Sequence, residues 1–136
     1  MRSEFARCLA EHEAAHAVVA HHFGHRVHSV RIGADDSAAV WDATCASGAE
    51  RAAVTAAGDL WNRQFGTVEY HDLACDDLAR LVRQVGVGGV WHTRRLARSV
   101  LTTRRRAVMA LADRLEREHS ISFDVVDSRA KAGGYR

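Results

Sequence analysis

The chain has 136 residues, a formal net charge of +2, 47% hydrophobic and 26% charged residues. That length fits one domain spanning 1–136, and the near-balanced charge argues against a disordered chain or a uniformly basic nucleic-acid binder. Of the hydrophobic residues 24 are alanine, and there is no proline, so the expectation is small, closely packed, uninterrupted helices. Cys8, Cys45 and Cys75 are widely spaced without a CxxC pair, poor material for a disulfide framework or a cysteine zinc site. Arg2, Glu4, Arg7, Glu11 and Glu13 interrupt any apolar run at the start, so no leader, no membrane segment and a cytoplasmic location are expected.

In chain order, Ser3 caps a helix running to about Phe23, with Phe5, Leu9, His12, His16, Val19 and Phe23 on its expected inward face. Gly24 stops it. Val27–Ile32 alternates with a period of two, the 33–37 cluster turns, and Ala38–Asp42 returns as the second strand of a small hairpin. Ser47 or Gly48 opens an alanine-rich helix closed by Phe65 and Gly66, and Thr67–Asp72 reads as loop. A third helix starts near Asp76 or Asp77 and breaks at Gly86, Gly88 and Gly89. Trp91–His119 reads as one long helix, and Ser122 as the cap of a last one from Phe123 to about Lys131. The fold class is therefore mainly α, a compact helical domain with one small β-hairpin near the N-terminus.

Nine histidines are unusual for this length, and two of them lie in His12-Glu13-Ala14-Ala15-His16, an HExxH motif inside the first helix. Residues four apart on a helix point the same way, so the two imidazoles can hold one Zn2+ ion while Glu13 stands beside the water it activates. Zinc lowers the pKa of such a water toward ~7, and the glutamate passes its proton to the leaving amine. A catalytic zinc also needs a third protein ligand. His22 falls where an extended HExxHxxGxxH motif would put it, but Val19 takes the glycine position. Glu50 on the second helix and the Asp76-Asp77 pair are the other candidates.

The stretch Glu11-His12-Glu13-Ala14-Ala15-His16-Ala17-Val18-Val19-Ala20 resembles the HEAGHA-type helix of FtsH-type zinc metalloprotease domains. The family's next strand is echoed by Val27–Ile32 and its glycine-bounded helix by Gly58–Gly66. Its Ala-Ser-Asn-Asp-Leu segment is echoed by Ala74-Cys75-Asp76-Asp77-Leu78, and its C-terminal helix pair by Arg104–Glu118 and Ser122–Ala130. The resemblance implies an FtsH protease-domain-like fold, a zinc metallopeptidase, metal ligands His12, His16 and Asp77, and Glu13 as the catalytic residue. It departs from the family at Ala15, where a glycine is usual, and at Asn62 and Arg63, where paired glutamates are usual. No GxxxxGK[ST] phosphate loop occurs, so a peptidase without the family's ATPase is expected.

The expected partner is a peptide or protein substrate, aligned along the edge of the Val27–Ile32 strand. A homo-oligomer or a separate partner that supplies unfolding stays open. A different class of reading, a catalytically inactive, metal-stabilised helical module binding a protein or nucleic acid, is kept alive by Asn62 and Arg63. Arginines crowd residues 94–117, but 18 of the 19 basic residues in the chain are arginine, which weakens a nucleic-acid reading of that helix. His21, His22, His25 and His28 read as solvent-facing, and His71, just before the third helix, as a loop residue or else an electrophile near the site. His92 and His119 read as surface or capping residues. Trp41, Trp61 and Trp91 read as core or rim anchors.

Overall fold

The computed structural model describes residues 3–33, 37–69 and 75–123; the side chains of Cys75 and Asp76, His71 and the expected 123–131 helix beyond Phe123 lie outside them. Within them are four helices and three strands: α1 (Glu4–His22), β1 (Val27–Arg31), β2 (Ala38–Trp41), α2 (Gly48–Gln64), α3 (Cys75–Thr103), α4 (Arg105–Glu118) and β3 (Ser120–Ser122). None of the helices is long and apolar enough to cross a membrane. Cys8 is buried and Cys45 exposed, and neither is in a disulfide with a described residue.

The first helix starts where its cap dictates, with the Ser3 hydroxyl accepting the Ala6 N–H at 3.0 Å. It ends at Phe23 and Gly24, the latter at φ 87°, which glycine adopts without strain. The expected single inward face is not what forms. From Cys8 to Ala20 almost every residue is buried, because α2, α4 and the sheet all pack around α1, whereas Phe5 is exposed. Alanines make this possible: Ala10, Ala14, Ala15 and Ala17 face Ala52, Ala53, Ala56 and Ala57 in one core. The second helix opens with a reciprocal capping box between Ser47 and Glu50.

Later in the chain several expectations are corrected. Of the three glycines, Gly86 alone leaves helical geometry (φ 73°, ψ 166°), and the helix resumes through Gly88 and Gly89. The long 91–119 helix is cut at Arg104. There the Thr102 and Thr103 hydroxyls donate back to the carbonyls of Arg98 and Val100, loosening the backbone ladder before α4 restarts. Leu96 is partly exposed, while Val100, Leu101, Val108, Leu111 and Leu115 are core. Ser122 ends β3, and the helix expected after it lies outside the described residues. His119, in the left-handed conformation at φ 65°, turns the chain out of α4, and its carbonyl accepts the Ile32 N–H.

The hairpin thus becomes a three-stranded antiparallel sheet in the order β2-β1-β3, with Val30 paired to Ile121 and both buried. This removes the edge of β1 as a substrate-aligning strand, since both its sides are occupied. Among the described residues the outer sides of β2 and β3 are the unpaired edges of the sheet, and β2 packs against α1.

A buried ionic cluster ties α1 to α4. The Arg7 guanidinium donates to Glu11 (2.6 Å), Asp113 (2.6 Å) and Glu116 (2.6 Å), and Glu11 and Glu116 are withdrawn from solvent. Glu11 also accepts from Trp61 Nε1 and from the Thr67 N–H and hydroxyl, which pins the end of α2 to α1. Arg7→Ala leaves Glu11 and Glu116 buried without their cation, so a loss of about 3–5 kcal/mol is expected in urea unfolding. A loss under about 1 kcal/mol would show that the cluster is solvated rather than buried.

Candidate metal centre

On α1 the 3.6-residue repeat brings His12 and His16 to one side, one turn apart, with ring centroids 4.7 Å apart. The first turn of α3 brings Asp77 against them. Asp77 Oδ2 lies 3.2 Å from His12 Nε2 and 3.2 Å from His16 Nε2, and the two Nε2 atoms are 3.1 Å apart. Among the described residues these three side chains make the one group whose ligand atoms converge closely enough to hold a metal ion.

The far nitrogens decide the chemistry of the near ones. His12 Nδ1 is 2.8 Å from Asn62 Oδ1, and the Asn62 amide is oriented by its own Nδ2 donating to the Cys8 carbonyl at 3.2 Å. His16 Nδ1 is 2.6 Å from the Val54 carbonyl. Both partners are acceptors only, so both Nδ1 atoms carry the proton and both Nε2 atoms present bare lone pairs. Two imidazole lone pairs and one carboxylate oxygen therefore meet, and a cation is what reconciles them. Three ligands at ~2.0–2.1 Å in a tetrahedron stand ~3.3–3.4 Å apart, close to the observed triangle. The donor set fits a divalent metal.

The backbone of α2 is shaped to this cluster. A Cβ on Gly58 would stand 2.6 Å from His12 Cε1 and 2.6 Å from His16 Nε2, so the position accepts hydrogen only. The same cleft, about 310 Å³, is lined by Glu13 as well as the three ligands. That lies at the low end of ligand pockets, about 300–1,000 Å³. One wall is β2, through Ala38, Ala39 and Trp41, and the opposite one is α2, through Val54 and Thr55; Arg80 of α3 stands at its mouth.

Electrostatics agree with a cation at the centre. Burial disfavours a charge on His16, but the Asp77 hydrogen bond and the Glu13 carboxylate overcome it and raise its pKa to about 9. Burial likewise opposes ionisation of Asp77, yet His12 and His16 hold its carboxyl well below the usual range.

The other candidates are placed elsewhere. Glu50 closes its capping box and accepts from His25 Nε2 at 2.9 Å, which holds its carboxyl low. His25 is accordingly paired and largely buried, which corrects the solvent-facing position expected from sequence. His22 is exposed and accepts from Arg104 Nε at 3.1 Å. His119 is the cap of α4 and His92 is exposed against Trp91. Trp61 is buried, Trp41 borders the cleft, and Trp91 is mostly exposed. Sequence reasoning named Asn62 only as a departure from a family pattern and passed over the packing role of Gly58. The signal for both was their spacing, four residues apart on the helix that faces the motif. In comparisons with known protein families and with curated proteins, the chain matches none.

Two outcomes follow from this geometry. Gly58→Ala should displace the imidazoles and weaken metal retention by about tenfold or more, read by chelator competition; retention equal to wild type would refute the close fit. The metal-free protein should depend on pH in a defined way. His16 has a raised pKa, so its contribution is complete below its ordinary 6.5 and is lost as pH rises through about 9. Asp77 has a lowered one, so its contribution is present above its ordinary 3.8 and is lost as pH falls below it. A bound divalent ion replaces that proton, so the gap in Tm between metal-loaded and metal-free protein should widen from pH 6.5 to 9. A gap constant across that range would contradict it.

Proposed function

We propose that this chain is a zinc-dependent metallopeptidase that hydrolyses peptide bonds without ATP. The observation that carries the reading is the triangle of bare ligand atoms from His12, His16 and Asp77 opening on the cleft that Glu13 lines. In this reading zinc is held by those three side chains, and when bound it supplies a Lewis acid that acidifies water and polarises a carbonyl. Two histidines and one carboxylate are a ligand set that catalytic zinc sites use.

Glu13 acts as the general base and then the general acid. It takes a proton from the attacking water and delivers it to the leaving amine as the peptide C–N bond breaks. Its place next to His12 on a buried helix keeps it beside the ligands and on the wall of the cleft. Asn62 and the Val54 carbonyl hold both imidazoles in the ligating tautomer. The unpaired edge of β2, which borders the cleft, offers main-chain groups to an extended substrate. The likeness of Glu11–Ala20 and Ala74–Leu78 to FtsH-type protease domains points to the same chemistry.

Glu13→Gln should reduce turnover of an unfolded protein substrate by about a hundredfold or more while zinc content stays near one per chain. Turnover equal to wild type would remove Glu13 from the mechanism. Asp77→Asn should weaken zinc retention more than Asp76→Asn. The reverse order would shift the third ligand by one residue. Wild-type protein that retains zinc and cleaves nothing would favour a metal-stabilised binding module instead.

A further inference from the structure

We infer that Arg80 forms a carboxylate-binding subsite beside the metal centre, so that the preferred substrate is a peptide with an acidic group flanking the cleaved bond. This rests on the peptidase reading above and specifies its substrate. Arg80 follows Asp77 by three residues on α3, so the two side chains rise from the same side of the helix, with Cβ atoms ~5–6 Å apart. Both line the one cleft.

Charge bookkeeping within that cleft isolates Arg80. Its charged lining is Glu13, Asp77 and Arg80; Asp77 is committed to the two imidazoles and Glu13 to proton transfer. The remaining walls are small or apolar, as at Ala38, Ala39 and Val54. Several other arginines are committed to acids: Arg7 holds three carboxylates, Arg63 and Arg94 share Asp59, and Arg114 holds Glu118. Arg80 makes no hydrogen bond or ion pair with any described residue, although it is an exposed residue lining a charged cleft. A guanidinium presents a planar fork that matches a carboxylate through two hydrogen bonds. Exposure at the rim suits a contact to a substrate side chain or chain end. It does not suit stabilisation of charge at the reacting carbonyl, which needs a desolvated donor at the ligands themselves.

The test uses internally quenched peptides of one sequence that carry Glu, Ala or Lys on either side of the cleavage point, each with a free or an amidated C-terminus. For the wild type, kcat/KM should be about tenfold higher for a carboxylate-bearing peptide than for its neutral amidated counterpart, the size of a hydrogen bond to a charged group. A preference kept in amidated Glu peptides identifies a side-chain carboxylate; one that needs the free end identifies the chain terminus. Arg80→Ala should collapse the ratio to near one, and Arg80→Glu should invert it in favour of Lys, with zinc content equal to wild type in both. Binding of the same peptides to zinc-loaded Glu13→Gln protein, read by fluorescence anisotropy, should show the same order and the same loss on adding Arg80→Ala. Equal kcat/KM and equal binding across the series in the wild type would overturn the subsite. So would an Arg80→Ala variant that slows all peptides by the same factor. If no peptide is cleaved, the peptidase reading fails and the binding series alone decides the subsite.

Discussion

The structure depends on where two protons sit. His12 and His16 each give their Nδ1 proton to an acceptor on α2, the Asn62 amide oxygen and the Val54 carbonyl, at 2.8 Å and 2.6 Å. With those protons committed, two lone pairs face each other at 3.1 Å beside a carboxylate oxygen, an arrangement that no neutral set of hydrogen bonds can satisfy. The cost of burying such a group without a positive charge is why these three side chains could hold a metal ion. It also sets the approach of α2 to α1, since both acceptors must reach the rings without any side chain intervening. The absence of a Cβ at Gly58 and the alanines on both helices meet that requirement.

A buried helix carrying Glu11, His12 and Glu13 in succession would ordinarily be unstable in a core. Here the ~100° step between successive residues sends each to a different neighbour. Glu11 turns to Arg7, Trp61 and Thr67. His12 turns to Asn62 and Asp77. Glu13 opens on the cleft between β2 and α2. Every polar side chain in this run therefore has either a partner or a cleft, which explains why α1 can be the central helix. The third strand contributes by closing the sheet on the side away from the cleft, leaving β2 as the border of the site.

The parts of this arrangement that sequence reveals are those written in local periodicity. The span of α1, its Ser3 cap, the β1–β2 hairpin, the Ser47 start of α2 and the interruption at Gly86 all rest on residues within a few positions of one another. The HExxH spacing exposes His12 and His16 for the same reason. Asp77, 61 residues from His16, is reached from sequence only through likeness to another family's motif, because nothing local distinguishes it from Asp76. The third strand is invisible for a similar reason. Ser120–Ser122 is three residues long, and only pairing with β1, some 90 positions earlier, makes it a strand. The cut at Arg104 was missed because Leu96, Val100, Leu101 and Val108 keep a helical period through it. The paired hydroxyls of Thr102 and Thr103 override that period.

The division of the ligands between elements has a consequence for how the site is assembled. Two ligands and both of their orienting acceptors lie on α1 and α2, which share one alanine-rich core, so most of the site is built before any metal arrives. Asp77 comes from a helix that reaches the site beyond the end of α2, where Thr67 is tied back to Glu11. Leu81, one turn after Asp77, is buried in the common core, whereas Leu78 and Arg80 are exposed. The start of α3 is thus held by one apolar anchor and one carboxylate, and the non-helical Gly86 lets this segment take a direction apart from the rest of α3. A metal ion held by all three residues would add a coordinate bond to the electrostatic attraction of Asp77 and so tie α3 to α1. Asp77 and Arg80 share a single turn of helix, so the side chain that reaches the imidazoles and the arginine that lines the cleft are positioned together.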